Sequence, residues 1–272
     1  MPVSLNQIVA AARRRIARGR SAADIHELER KAETHVPRGF RRALETASKN
    51  GAAVIAELKK ASPSRGLIRA NFDPEKLAKE LEASGAAALS VLTDAEFFQG
   101  SLENLRRASA SVKVPCLRKD FIVDEFQIVE ARGHGADAIL LIVAALSQAE
   151  LARLAKSAGQ WNLDVLCEVH DRQELNRAVD AGCNLIGVNN RDLRTFKVDL
   201  ETAIRLGESI PKHAIRVAES GIHSGAEITR LRAAGYQAFL VGESLMAAKS
   251  PGEALRTLLA EASAGYPVPS AE

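Results

Sequence analysis

The chain has 272 residues, 46% hydrophobic and 26% charged, a balance that fits a folded globular chain and not a disordered or fibrous one. With 37 Lys+Arg against 34 Asp+Glu the formal charge is +3, too near neutral for a nucleic-acid binder driven by electrostatics. Aromatic residues make up only 4%, which argues against base-stacking platforms and aromatic-cored sandwiches.

Residues 1–46 read as a helical extension, with segments at Leu5–Arg18, Ser21–Thr34 and Arg38–Thr46. Ser21 with Asp24 three residues on gives the second segment a weak variant of the capping box. Arg13, Arg14, Arg15, Arg18 and Arg20 stand in an acid-free stretch, so residues 1–20 carry +5. An organellar transit peptide has that composition, and so has a solvated amphipathic helix on a cytoplasmic protein; the second is the expectation. No apolar run reaches the ~18 residues of a membrane span, and there is no signal-peptide core. Cys116, Cys167 and Cys183 are odd in number and lack a CxxC pair, so three reduced thiols without disulfide or zinc are expected.

From residue 53 on, short apolar β-branched runs alternate with amphipathic helical stretches. The strands are Ala53–Leu58, Ala88–Leu92, Cys116–Lys119, Ala138–Ile142, Asp164–Glu168, Leu185–Asn189, Ile215–Glu219 and Ala238–Gly242. Several are apolar almost throughout, as strands buried on both faces of a parallel sheet should be. Helical periodicity fills the intervals, for example Pro74–Ser84, Glu125–Gly133, Gln148–Ala158, Arg172–Ala181 and Gly225–Ala234, and Pro251–Ala262 would complete a helix after each strand. Several of these stretches end beside Gly85, Gly135, Gly182 or Gly235, the common left-handed helix stop. Eight strands whose ends recur every 21 to 35 residues predict a closed (β/α)8 TIM barrel over residues 53–262. A doubly wound open sheet would show a glycine-rich fingerprint after its first strand, where this chain has ELKKASPSRG. The whole chain is thus expected to be one domain, a barrel with an N-terminal helical extension, and residues 265–272 a frayed tail.

Polar residues at the strand ends should gather at one mouth of such a barrel, where active sites form. They are Glu57, Lys59, Lys119, Glu168, Asn189, Arg191, Glu219 and Ser220. Glu57, Lys119 and Glu168 directly terminate apolar runs, a costly place for a charge unless it is paired or used. Glycine turns follow the last two strands at Gly221 and Gly242, and a short helix over Glu243–Lys249 comes after the second. In many barrels this pair of loops binds phosphate through backbone N–H groups, so a phosphorylated small-molecule substrate is expected, with no nucleic-acid or membrane partner. The six histidines are scattered without metal-ligand spacing, so no metal is expected. His170 follows Glu168 closely but reads as an ordinary loop residue.

Taken in order, ELKKASPSRG (57–66), VLTDAEFFQGS (91–101), LRKDFIVDEFQI (117–128), LCEVHD (166–171), IGVNNRDLRTF (186–196), VAESGI (217–222) and FLVGESLM (239–246) resemble the indole-3-glycerol-phosphate synthase family of tryptophan biosynthesis. The resemblance spans nearly the whole barrel. It implies a cytoplasmic carboxy-lyase that closes the pyrrole ring of 1-(2-carboxyphenylamino)-1-deoxyribulose 5-phosphate with loss of carbon dioxide and water, using general acid–base chemistry and no cofactor. It assigns catalysis to Lys119, Glu168, Glu57 and Lys59, with Lys119 as the acid at the ribulose carbonyl. Asn189, Arg191, Ser220 and Glu219 would hold the polar part of the substrate, and Phe98, Phe121 and Leu140 its aryl ring. Ser62, Gly221, Gly242 and Glu243 would take the phosphate. Glu243 departs from members with serine there, so its N–H is expected to bind while its side chain points away. Other tryptophan-pathway enzymes are candidate partners; otherwise a monomer or weak homo-oligomer is expected. Two other readings stay open: a Schiff-base aldolase acting on a sugar phosphate through Lys119, and a non-catalytic barrel that binds a phosphate ligand. Phosphoribosylanthranilate isomerase is disfavoured because its cysteine-bearing first strand is absent.

Overall fold

The eight apolar runs form eight parallel strands, β1 (Ala53–Leu58), β2 (Ala88–Leu92), β3 (Cys116–Lys119), β4 (Ala138–Ile142), β5 (Asp164–Val169), β6 (Leu185–Asn189), β7 (Ile215–Glu219) and β8 (Ala238–Val241). In this computed structural model, which describes residues 4–193 and 195–264, they close into a barrel in the order β1-β8-β7-β6-β5-β4-β3-β2. The tail expected at 265–272 lies outside the described residues.

Three helices precede the barrel: α1 (Leu5–Ala22), α2 (Ile25–Thr34) and α3 (Phe40–Ser48). Around it run α4 (Pro74–Ala83), α5 (Ala95–Phe98), α6 (Leu102–Ser111), α7 (Phe126–Gly133), α8 (Gln148–Gln160), α9 (Arg172–Asp180), α10 (Glu201–Gly207), α11 (Gly225–Ala233), α12 (Glu243–Ala247) and α13 (Pro251–Ala264). Among the described residues no helix is long and apolar enough to cross a membrane.

Alternation along each strand sorts side chains into two cores. Val54, Ala56, Leu58, Leu89, Val91, Ile139 and Leu141 face outward and pack with Leu81, Leu105, Ile128, Leu154 and Leu231 of the helices. Ile55, Leu117, Leu140, Leu166, Val217 and Leu240 face inward. Phe40 and Leu44 of α3 join the strand-start residues Ala53, Ala138, Leu185 and Ala238 in that inner core, so α3 closes the floor of the barrel. The same alternation carries the inward phase one step further, to Glu57, Lys119, Glu168, Asn189 and Glu219 at the opposite end.

Glycines past the helices take the predicted left-handed backbone, with φ of 97° at Gly85, 83° at Gly135, 80° at Gly182 and 88° at Gly235. The extension departs from expectation at its caps. Helix α1 continues through Ser21, whose hydroxyl donates to the Ala17 carbonyl, and Asp24 caps α2 by accepting from the Glu27 N–H at 3.0 Å. Helix α3 starts later than Arg38 because Gly39, at φ 80°, is its N-cap and Arg38 is committed elsewhere. The cysteine expectation also needs correction. Cys167 on β5 and Cys183 in the turn into β6 face the outer layer of adjacent strands, with Cα atoms 6.5 Å apart, and form a disulfide. Spacing along the chain does not reveal neighbours created by strand pairing. Cys116 stays a free buried thiol, pushed by burial up to about 12.

Two ionic anchors fasten the extension. Asp137, fully buried before β4, accepts from Arg38 Nη2 at 2.6 Å and from the Cys116 N–H at 2.7 Å, with His35 Nε2 at 3.2 Å. Burial pushes the Asp137 carboxyl up, but its bonds to His35 and Arg38 outweigh this and hold it below the ordinary value. Its stabilisation is therefore present above the unfolded-state pKa of about 3.9 and is lost as pH falls through the lower folded value. Asp137→Ala is expected to remove about 3–5 kcal/mol of unfolding free energy at neutral pH by stranding Arg38. The same substitution should flatten the acid limb of stability, read as denaturant midpoints at several pH values. At the other end, α1 lies across the barrel mouth with Ile8, Ala11, Ala12 and Ile16 buried. Arg13 pairs with Glu150, Arg15 with Asp94 and Asp120, and Arg20 with Asp124, so the basic stretch meets acids of the barrel.

Candidate active site

At the C-terminal ends of the strands the barrel opens into a cavity of about 590 Å³. It is lined by Glu57, Lys59, Ser62, Phe98, Lys119, Phe121, Leu140, Glu168, Asn189, Arg191, Glu219, Ser220, Gly221, Gly242 and Glu243, so the structure brings together every site residue named from the sequence.

Lys119, ending β3, is central. Its Nζ lies 3.1 Å from Glu168 Oε2 and 3.5 Å from Glu219 Oε2. Asn189 Nδ2 donates to Glu168 Oε1 at 3.1 Å, and its own Oδ1 accepts the Arg191 N–H at 3.0 Å. Lys59 Nζ sits 2.6 Å from Glu57 Oε1, a second lysine–carboxylate pair across the mouth. Two glycines make room for these carboxylates. A Cβ at Gly187 would strike Glu219 Oε1, and one at Gly242 would strike the Glu57 side chain.

Burial drives Lys119 toward neutrality, but the charges of Glu168, Glu219 and Glu57 outweigh it and hold the ammonium well above the ordinary lysine range. Burial raises both glutamates too, yet they part company. Lys119, His170 and the Asn189 hydrogen bond hold Glu168 below its ordinary value. For Glu219 burial wins, reinforced by the negative charges of Glu168 and Glu57, and pushes it up to about 8. Glu219 Oε1, buried against Gly187, has no hydrogen-bond partner among the described residues. At neutral pH the site thus holds an ammonium, a carboxylate and a carboxylic acid on the alternate strands β3, β5 and β7.

Opposite these groups, Phe98 and Phe121 stand with ring centroids 6.4 Å apart at 35°, beside the buried Leu140. The other rim is backbone. Ser220 and Gly221, at φ 67° and 78°, turn the chain out of β7, and Gly242 leads into α12. Glu243 lines the cavity instead of turning out of it. Its carboxylate is neutralised by Arg65 at 2.7 Å and by Arg191 at 3.6 Å. Arg191 also donates to the Phe196 carbonyl at 3.2 Å.

Several lining or supporting residues have no counterpart in the sequence reading. Ile8 brings α1 into the cavity wall. Asp120, next to Lys119, accepts from Thr93 Oγ1 at 2.7 Å, Arg15 at 2.8 Å and Arg118 at 3.0 Å, which ties the loops after β2 and β3 to α1. His170 sits behind Glu168 with its side chain 14% exposed. Only the sequence position of His170, two residues past Glu168, hinted at that placement.

A (β/α)8 barrel with buried lysine–carboxylate pairs at its C-terminal mouth defines an enzyme of the acid–base class. A family model described as indole-3-glycerol phosphate synthase matches residues 5–258. The chain is 62% identical over 259 residues to an indole-3-glycerol phosphate synthase of Koribacter versatilis (strain Ellin345), covering 95% of this chain and 100% of the relative. It is 48% identical over 258 residues to that of Leptothrix cholodnii, covering 94% and 98%. The chain belongs to the indole-3-glycerol phosphate synthase family, a family of carboxy-lyases. Among solved structures it is similar to 3-hexulose-6-phosphate synthase from Salmonella typhimurium (TM-score 0.63, 11% identity, 79% of this chain and 100% of that one). It is also similar to thiamine phosphate pyrophosphorylase from Pyrococcus furiosus (TM-score 0.58, 17% identity, 82% and 100%). At such identities these two likenesses describe the barrel fold alone.

Proposed function

We propose that the chain, extension and barrel acting together in the cytoplasm, converts 1-(2-carboxyphenylamino)-1-deoxyribulose 5-phosphate to indole-3-glycerol phosphate, carbon dioxide and water on the residues described above. The observation that carries this assignment of roles is Lys119 held cationic between Glu168 and Glu219, with an apolar aryl wall on one side and the two glycine turns on the other. The aryl ring lies against Phe98, Phe121 and Leu140, and the phosphate takes the turns at Gly221 and Gly242 with Ser62. Arg65 and Arg191, which already neutralise one carboxylate, add positive charge at that end.

As the ring carbon attacks the ribulose carbonyl, the Lys119 ammonium gives a proton to the oxygen that is becoming an alkoxide. Glu219, carrying its own proton, donates a hydrogen bond beside it. Carbon dioxide then leaves, and its bonding electrons restore the aromatic ring. Lys59, held by Glu57, protonates the departing hydroxyl, which leaves as water. Glu168, ionised, accepts the proton released as the pyrrole forms. A Schiff-base aldolase would need Lys119 as a neutral nucleophile, and the negative charge around it, that of Glu168 first, holds it in the other state.

Purified protein given this substrate in chelator-treated buffer is expected to develop indole absorbance and fluorescence. Unchanged spectra with authentic substrate would sink the assignment.

A further inference from the structure

Glu168 is surrounded more completely than its lysine and asparagine partners require. The His170 ring, on the loop between β5 and α9, stands with Nε2 3.4 Å from Glu168 Oε1. That nitrogen is buried and has no hydrogen-bond partner among the described residues. The opposite edge is anchored: Glu174 Oε2, on α9, lies 2.9 Å from Nδ1 and also accepts the His170 backbone N–H at 2.8 Å. A carboxylate can only accept, so Nδ1 must carry the proton. In neutral imidazole Nε2 would set a lone pair 3.4 Å from a second carboxylate, whereas in the cation the same approach is an ion pair, without a hydrogen bond. An unused buried nitrogen costs about 1–3 kcal/mol, so a ring fixed in this direction calls for a purpose.

We propose that His170, aimed by Glu174, is a positioning residue for Glu168: its imidazolium closes the side of the carboxylate that Lys119 and Asn189 leave open, and so fixes both its direction and its charge. The proposal rests on the reading of Glu168 as the proton acceptor, and it adds to that reading a second cation beside the carboxylate and the residue that orients it. The arrangement resembles the carboxylate that orients a catalytic histidine, with the histidine here serving a carboxylate. Three carboxyl groups face the ring, Glu168 from its own strand, Glu174 from α9 and Glu219 from β7, and Lys119 of β3 stands beyond Glu168. Burial pulls the imidazolium toward neutrality, and the hydrogen bond to Glu174 with the Glu168 and Glu174 charges more than reverses that, so the ring stays protonated above its ordinary range. This support of Glu168 is therefore complete below the ordinary histidine value of about 6.5 and is lost as pH rises through the raised one.

The test is steady-state kinetics by indole fluorescence on the full chain. His170→Ala is expected to lower kcat about 10–100-fold with KM held within about twofold. His170→Gln, whose amide fills the place of Nε2 without its charge, should recover only part of that loss. Glu174→Gln removes the charge that holds the ring protonated, so the alkaline limb of kcat should move to lower pH. Glu174 does not touch Glu219, so that shift belongs to His170. A merely structural histidine would lower the thermal midpoint and leave the limb in place. A stationary limb in Glu174→Gln overturns the proposal, even if His170→Ala fails to fold. So does a folded His170→Ala with near-normal kcat while Glu168→Gln is inactive. An active Glu168→Gln would instead overturn the role of Glu168 itself.

Discussion

Replacement of Lys119 by alanine is expected to cut kcat by about 10³ or more, near the upper range for loss of a positioned general acid, and to leave substrate affinity within a few-fold. The asymmetry follows from geometry. The aryl wall of Phe98, Phe121 and Leu140 and the turns at Gly221 and Gly242 line the cavity apart from Lys119, and in the proposed placement they hold the two ends of the ligand without it. Its ammonium faces the middle of the cavity, where oxygen charge develops only as the ring closes. Loss of Lys119 also strips Glu168 of its nearest cation, 3.1 Å away, so its carboxyl should rise toward neutrality and lose basicity as well. One substitution thereby disables a donor and an acceptor, which places the effect high in the range. Lys119→Arg should not restore turnover, since a guanidinium keeps its charge but releases a proton far less readily. Single-turnover fluorescence beside equilibrium binding separates the two quantities, and near-normal single-turnover rates in Lys119→Ala would remove the lysine from its role.

How legible this site is in the sequence depends on how local each feature is. Strand boundaries emerge almost residue by residue, because strands buried on both faces are apolar runs and β1, β3 and β5 reach a charge at Glu57, Lys119 and Glu168, the two glutamates buried and the lysine half-buried. Period-two alternation then dictates that these charges enter the barrel and not the helical layer. Features made by distant pairs escape any such reading. Arg15 and Asp120 are 105 residues apart, and Arg65 and Glu243 178 apart, so no local pattern links them. Cys167 and Cys183 meet only because β5 and β6 are neighbours. His170 looks like a loop residue until α9 turns Glu174 back onto its ring. The roles given to individual site residues came with the family resemblance. Spacing alone gave only a mouth lined with charge.

Glu168 and Glu219 offer the second large effect, and a contrast within one cavity. Both are buried at strand ends about one lysine, Lys119, yet their surroundings drive them in opposite directions. Glu168→Gln replaces an ionised base with an amide that cannot take a proton, so kcat at pH 7 is expected to fall about 10³-fold or more, near the upper range for a general base. Glu219→Gln replaces a group already neutral below about 8 with a neutral amide that still donates a hydrogen bond. Its kcat at pH 7 should stay within about tenfold of the parent, the small loss expected when one neutral donor substitutes for another. The pH profiles sharpen the contrast. As pH rises through about 8 the parent gains a third negative charge around Lys119 and loses the Glu219 donor, so kcat should decline. The Glu219→Gln variant lacks that titration and should decline only with the remaining groups, His170 among them. Equal losses in the two variants at pH 7 would mean that both glutamates work in the same protonation state, and the division between proton acceptor and hydrogen-bond donor would fall.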